Sequence, residues 1–354
     1  MVQLQRSIPD KISFESDYVS GAHPEVLKRL VETNFESLPG YGDDKYTVSA
    51  REKVKTVTGK PEADVFFVSG GTQVNQLVIS TLLDDGDGVV AVKSGHINVH
   101  ESGAIEFTGH KVLAIDGKDG KIVPEKLSEY LESDYDDHMV RPGMLYISHP
   151  TEYGTSYSKK ELCDIYGICK KHSIPLFIDG ARLGYGLSCS KSDMDIKEIA
   201  SMCDVFTIGG TKVGALCGEA AVFSGIRAPE RFIAKIKQRG GLMAKGRVLG
   251  VQFDALFTDG LYFRISEHVA GMADMLRNGL TKLGVEFFVD SPTNQLFPVF
   301  DDSVIEKIRG KVKYSFWEKA GHGRSVVRFA TGWATEKEDI EELLTILNIV
   351  LQNN

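Results

Sequence analysis

Seven short apolar runs punctuate the first 225 residues, each long enough for one buried strand, and this alternation constrains the fold more than any other feature. They are ADVFFVS (63–69), GVVAVK (88–93), KVLAID (111–116), GMLYIS (143–148), PLFID (175–179), DVFTIG (204–209) and EAAVFS (219–224), separated by segments of helical character. Apolar runs alternating with helices read as βαβ units. The runs are near-continuous Val, Ile, Leu and Phe, which marks strands buried on both faces, as in a mostly parallel sheet of about seven strands between helices. A large α/β domain is therefore expected over residues 1–257. After about residue 258 the texture changes to a long helical stretch (262–283), short strands around VEFFV, QLFPVF and VVRFA, and a last helix. There Ile340, Leu343, Leu344, Leu347, Val350 and Leu351 share one face. This predicts a small C-terminal α+β domain, 258–354, with the N-terminal segment packed partly on it and residues 225–258 as the bridge.

Composition narrows the function class. The 354 residues carry 41 Lys and Arg against 49 Asp and Glu, a formal charge of −8. A net acidic chain lacks the positive field that neutralises phosphates, which argues against a nucleic-acid partner and for small-molecule chemistry. The start, MVQLQRSIPDKISFESD, has no unbroken apolar segment, and no run approaches the ~18 apolar residues of a membrane span. Cys163, Cys169, Cys189, Cys203 and Cys217 are odd in number and form no CxxC pair, so they read as reduced and mostly structural. A cytosolic protein is expected.

The chain contains no GxxxxGK[ST], no GxGxxG after a strand, no HExxH and no GxSxG, so nucleotide-hydrolase, dinucleotide-dehydrogenase, zincin and α/β-hydrolase readings lose their sharpest support. Three constellations remain. Ser69-Gly70-Gly71-Thr72 ends a strand and opens a helix, which suits either a phosphate cradle or an ordinary turn and N-cap. Asp179 ends the run PLFID, where open α/β sheets bind ligands; a helix cap or an ion pair with Arg182 is the plainer alternative. Lys212, in TIGGTKVGALCG, is either a snorkelling surface lysine or a reactive amine whose pKa falls on burial.

Taken together, these motifs resemble fold-type I pyridoxal-phosphate enzymes, and within them the threonine aldolase and β-eliminating lyase family. The resemblance runs in order through ISFESDYVSGAHP, YGDDKYTV, SGGTQVNQ, GHINVHESGA, PTEYG, IDGARLGYG and GGTKVGAL to VVRFATGWATEKED, nearly the whole chain. It implies pyridoxal 5'-phosphate held by Lys212 as an internal aldimine, with Asp179 on the pyridinium nitrogen and Gly71 and Thr72 on the phosphate. Arg182 is implied near the phenolic oxygen, and His96 over the ring. His96 has two alternative readings, a metal site with His100 and a packed core histidine; no metal is expected. Arg328 is implied as the substrate-carboxylate fork with Ser16 as a second donor, a surface strand arginine being its plainer reading. Tyr41 falls in a motif that reaches the active site in the family, in some members from a neighbouring subunit.

One departure matters. Family members carry a histidine in the loop corresponding to PTEYG, and here Glu152 stands at that position; either Glu152 or a water takes its proton-transfer task, or the substrate differs. Thr211 also replaces the commoner serine before the lysine. The reaction implied is retro-aldol cleavage of a β-hydroxy-α-amino acid, of the L-threonine or L-allo-threonine type, to glycine and an aldehyde through an external aldimine and a quinonoid. Elimination or transamination of another amino acid is the alternative. A homodimer or homotetramer with sites at subunit interfaces is also implied. Arg239, Lys245 and Arg247 are further candidates to reach a neighbour.

Overall fold

The computed structural model describes residues 11–353; the first ten residues of the amino-terminal stretch read above lie outside them. The strands are β1 Ile12–Ser13, β2 Asp64–Val68, β3 Asp87–Val92, β4 Lys111–Ile115, β5 Arg141–Ser148, β6 Leu176–Asp179, β7 Val205–Gly209, β8 Glu219–Phe223, β9 Glu286–Phe287, β10 Gln295–Leu296, β11 Pro298–Asp301, β12 Val312–Lys313, β13 Ser315–Gly321 and β14 Arg324–Ala330. The helices used below are α1 Gly71–Leu82, α2 His96–Val99, α3 Arg247–Leu256, α4 Leu261–Lys282 and α5 Lys337–Gln352.

All seven apolar runs are strands of one sheet, in the order β2-β8-β7-β6-β5-β3-β4. The pairs from β7 to β4 are parallel, and β8 alone runs antiparallel, inserted between β7 and β2. Neighbouring residues of one strand feed opposite cores. Val90, Ile178 and Phe206 join one apolar cluster with Phe253 of α3 and Ile265 of α4, while Val89, Phe177 and Val205 join the other with Val74 and Leu77 of α1. That division is why the runs show no alternation: both faces of the sheet are dry.

The C-terminal sheet is antiparallel, ordered β10-β14-β11-β9 with β13 on the far side of β14. Its core contains Leu276 and Leu280 of α4, Leu296, Val327 and Phe329 of the sheet, and Ile340, Leu343 and Leu347 of α5. The other three residues of the expected helix face, Leu344, Val350 and Leu351, pack against its edge. The N-terminal segment is laced into this sheet. β1 pairs in parallel with β12, Phe14 lies in the C-terminal core, the Ala330 N–H donates to the Phe14 carbonyl (2.9 Å), and Ser315 Oγ donates to the Glu15 carbonyl (2.7 Å). β13 had no counterpart among the expected strands: its residues are mostly exposed and its pairing with β14 shifts register twice.

Candidate active site

The carboxyl ends of the parallel strands open on one cleft of about 240 Å³, lined by Gly70, Gly71 and Thr72, by His96, Ser148 and Glu152, and by Asp179, Arg182, Lys212 and Glu219. The structure thus brings seven of the sequence candidates together: Gly71, Thr72, His96, Glu152, Asp179, Arg182 and Lys212. Crevices at strand ends are where open α/β sheets bind ligands.

α1 begins at Gly71 without a side-chain cap, and a Cβ built on Gly70 or Gly71 would meet nothing within 4 Å. The cradle is therefore open and faces the cleft with free helix-terminal N–H groups, as an anion site requires. Asp179 is buried at the end of β6. Its Oδ2 accepts from Tyr146 Oη (2.7 Å) and Asn75 Nδ2 (3.2 Å), and its Oδ1 from the Ala181 N–H (2.9 Å). Burial pushes this carboxyl up, but His96, the Tyr146 hydroxyl and Lys212 outweigh it and hold it below its ordinary value. All its bonded partners are neutral, so a cation in the cleft would complete it.

Lys212 lies just beyond β7, and its amine has no hydrogen-bond partner among the described residues. Burial, reinforced by the Arg182 guanidinium, lowers its proton affinity. The main chain there is fixed: the Lys212 carbonyl accepts from Tyr185 Oη, and the Gly210 and Thr211 N–H groups donate to the Gly218 carbonyl.

A chain of polar contacts joins the remaining groups. His96 Nδ1 meets Glu101 Oε1 (2.7 Å), and Asn75 Nδ2 bridges Glu101 (2.7 Å) to Asp179. The Tyr146 hydroxyl links Asp179 to Ser148 (3.4 Å). Ser148 Oγ donates to Glu152 Oε1 (2.6 Å), which also accepts the His96 N–H (2.9 Å). Burial lowers the affinity of His96 for a proton, yet Glu101 and Asp179 reverse this and raise it. Burial raises the Glu152 carboxyl despite the Ser148 bond, and Glu152 Oε2 has no partner among the described residues. His100 faces His96 at 5.5 Å between ring centroids; among the described residues no group of three or more His, Cys, Asp or Glu is arranged to hold a metal ion.

Arg182 corrects one alternative. Its ion-pair partner is Asp17, through Nε–Oδ2 (2.6 Å) and Nη2–Oδ1 (2.9 Å), and not Asp179. Asp17 also accepts from Asn294 Nδ2 (2.9 Å). Burial pushes Asp17 up, but Arg182 overrides it and holds the carboxyl at about 2. Ser16 is buried beside it, 3.5 Å from Asp17 Oδ1. Arg328, on β14, donates to uncharged oxygens among the described residues: Gln295 Oε1 (3.1 Å), Ser315 Oγ (3.1 Å), the Glu15 carbonyl (3.2 Å) and the Tyr18 hydroxyl. Its buried Nε has no partner among the described residues, and burial followed by repulsion from Arg182 lowers its proton affinity. Tyr41 is outside the cleft of its own chain, exposed, at φ 59°, with the Lys237 ammonium 4.9 Å from its ring.

Glu101, Asn75, Tyr146, Ser148, Asp17 and Glu219 escaped the sequence reading. Asn75, Glu101 and Asp17 lie inside the motifs SGGTQVNQ, GHINVHESGA and ISFESD, and a polar residue in such a motif was the available signal.

An open anion cradle, a buried carboxylate awaiting a cation and an unpaired lysine half-buried in the cleft fit pyridoxal phosphate, and with this sheet they define a pyridoxal-phosphate enzyme of fold type I. The family model for beta-eliminating lyases matches residues 13–301. The chain belongs to that family and is a pyridoxal-phosphate-dependent carbon–carbon lyase. A low specificity L-threonine aldolase of a Pseudomonas species is 30% identical over 344 residues, covering 96% of this chain and 97% of the relative. The structure of Leishmania major threonine aldolase aligns with a TM-score of 0.94 at 38% identity, covering 96% of this chain and 99% of that one. Aspartate aminotransferase from Thermus thermophilus aligns with a TM-score of 0.68 at 16% identity over 96% and 92% of the two chains, a likeness of fold alone.

Proposed function

We propose that this protein cleaves L-threonine, L-allo-threonine or a close β-hydroxy-α-amino acid to glycine and an aldehyde. The observation that carries the reading is the convergence of Lys212, Asp179 and Glu152 on one cleft, in a chain similar over nearly its full length to threonine aldolases. Lys212 would hold pyridoxal phosphate through its amine, Asp179 its ring nitrogen, and Gly71 and Thr72 its phosphate, with Arg182 near the phenolic oxygen. When bound, this cofactor supplies an electron sink for the pair left on Cα.

The chain's own residues do the rest. Arg328 is a half-buried guanidinium with no carboxylate partner among the described residues, which favours an anion arriving with the substrate. Arg328 and Ser16 would together receive the substrate carboxylate and so orient its Cα in the cleft. Glu152 Oε2, unpartnered and raised by burial, takes the proton from the β-hydroxyl as the Cα–Cβ bond breaks. His96, held by Glu101 at Nδ1, lines the cleft and would stack on the cofactor ring. Residues 1–257 act as the cofactor-holding unit and 258–354 as the unit carrying Arg328.

Tyr41 supports a homodimer or homotetramer. It is exposed, lies outside its own cleft, and belongs to a motif that reaches an active site in the family. Among the described residues no helix is long and apolar enough to cross a membrane.

The test is aldehyde release from L-threonine and L-allo-threonine by the cofactor-loaded protein, with Lys212→Ala as control. Lysine-dependent acetaldehyde is expected. A cofactor bound through Lys212 with no aldehyde from either substrate would refute the reading in favour of elimination or transamination.

A further inference from the structure

One buried acid in the cleft has no part in the scheme above. Glu219 opens the single antiparallel strand of the large sheet, and its Cα is paired with Gly209 of β7 on one side and Val68 of β2 on the other. β7 runs on through Gly210 and Thr211 to Lys212, and β2 through Ser69 to the open cradle, so Glu219 stands at the root of both. It is 5% exposed, it lines the same cleft as Lys212, and its Oε2 has no hydrogen-bond partner among the described residues. A buried carboxyl oxygen left in that state is costly unless a proton or a cation compensates it.

The charges around the cleft identify the compensating group. Asp17 is committed to Arg182 and Asn294, and Asp179 to Tyr146, Asn75 and the Ala181 N–H. Glu101 meets His96 and Asn75 through Oε1, and Glu152 accepts from Ser148 and the His96 N–H through its Oε1, each keeping a second oxygen free beside the His96 imidazole. Among the cations, Arg182 has its carboxylate and Arg328 stands on the C-terminal sheet. Lys212 is the base left without a carboxylate; of the acids with an unpartnered oxygen among the described residues, Glu101 and Glu152 lie beside His96, while Glu219, bonded to the Thr211 hydroxyl and the Gly210 N–H, lies beside Lys212 and lines the same cleft.

We propose that Glu219 is the proton partner of Lys212: the proton that the ammonium must lose to become a nucleophile rests on the Glu219 carboxyl and returns when the amine is set free. The transfer breaks one N–H bond and makes one O–H bond, converting ammonium and carboxylate into amine and carboxylic acid with no other reactant. Burial raises the acid, to about 7, and lowers the amine, so the two proton affinities approach each other. Arg182, Asp17 and Asp179 also face the amine, and Asp179, the Thr211 hydroxyl and Tyr262 also face the acid. Glu219 acts through Lys212 and is therefore a positioning residue. The inference rests on the role of Lys212 given above.

The full-length chain, stripped of cofactor, is labelled with formaldehyde and cyanoborohydride over a pH series, and modification of the Lys212 peptide is read by mass spectrometry. The wild type should give two inflections, one near pH 7, because a lysine linked to an acid titrates with it. Glu219→Gln should give one inflection and label about ten-fold faster above pH 7, since the ammonium has lost the carboxylate that stabilises it. Superimposable profiles, or a single inflection in the wild type, would overturn the pairing. If the variant does not fold, the wild-type profile decides alone. Aldehyde release separates the two claims: two inflections without aldehyde support the pair and count against the proposed reaction.

Discussion

Replacing Asp17 by Asn removes one charge and almost no volume, and its consequences can be worked from the structure. The Asp17 side chain is 0% exposed and Arg182 13%, so the substitution leaves a buried guanidinium without its carboxylate. The shift of Asp17 from 3.8 to about 2 corresponds to about 2–3 kcal/mol of stability. Stranding the partner of a buried ion pair costs about 3–5 kcal/mol, which includes that term. Asn keeps one acceptor for Arg182 Nε, so we expect a loss of about 3–4 kcal/mol. For 354 residues the unfolding entropy is roughly 0.7 kcal/mol per degree, giving a fall in Tm of about 4–6 °C. The pH dependence discriminates charge from packing. Because the folded pKa lies below the unfolded one, the contribution of Asp17 is full above about pH 5 and is lost as pH falls from about 4 through about 2. Calorimetry of wild type and Asp17→Asn at pH 7, 5, 4 and 3.5 should show a constant gap that then narrows. A gap below 1 °C at pH 7, or one unchanged at pH 3.5, would refute the reasoning.

Three further outcomes follow from the same network. Arg328→Met should raise KM for the amino acid by about 10–100-fold in steady-state assays, with Tm unchanged or higher, because the guanidinium has no carboxylate of its own to lose. Glu152→Gln should lower kcat by about 10²–10⁴-fold; wild-type kcat/KM should fall as pH drops through the raised pKa of Glu152, and the variant should lack that limb. Glu101→Gln should lower the pKa of His96, followed by NMR of the labelled imidazole; the stability that Glu101 lends protonated His96 is present at low pH and lost as pH rises through the raised His96 value, so the variant should converge on wild type in alkali.

The large sheet was legible because its strands are dry on both faces, which writes the burial of Val89 and Val90 or Phe177 and Ile178 directly into composition. β13 was illegible because Ser315–Gly321 is mostly exposed and held by β14, so no apolar pattern is required of it. β1 and β12 are two residues each and exist through one another, three hundred positions apart. In the site, Lys212, Asp179 and the glycine turn stand at strand ends and carry their local signature. The partners of His96, Asp179 and Arg182 do not: Asn75 reaches Asp179 across 104 residues and Asp17 reaches Arg182 across 165, pairings that tertiary packing alone decides. Glu219 was hidden because its chemistry depends on what flanks β8 in the sheet, and the antiparallel insertion of that strand is not visible in EAAVF.

The lacing of residues 12–17 into the C-terminal sheet also sets an order of assembly on the ribosome, where the chain emerges amino end first. All seven strands of the large sheet, with Lys212 and Asp179 at their ends, have emerged once Phe223 is out. The segment that carries Ser16 and Asp17 must then wait for β12, β14 and Asn294, since its hydrogen bonds run to them. Until they arrive Arg182 has no carboxylate and the fork built on Arg328 does not exist. The half of the site proposed to hold the cofactor is thus ready early, and the half proposed to receive the substrate carboxylate is finished last, by joining two distant stretches of the same chain.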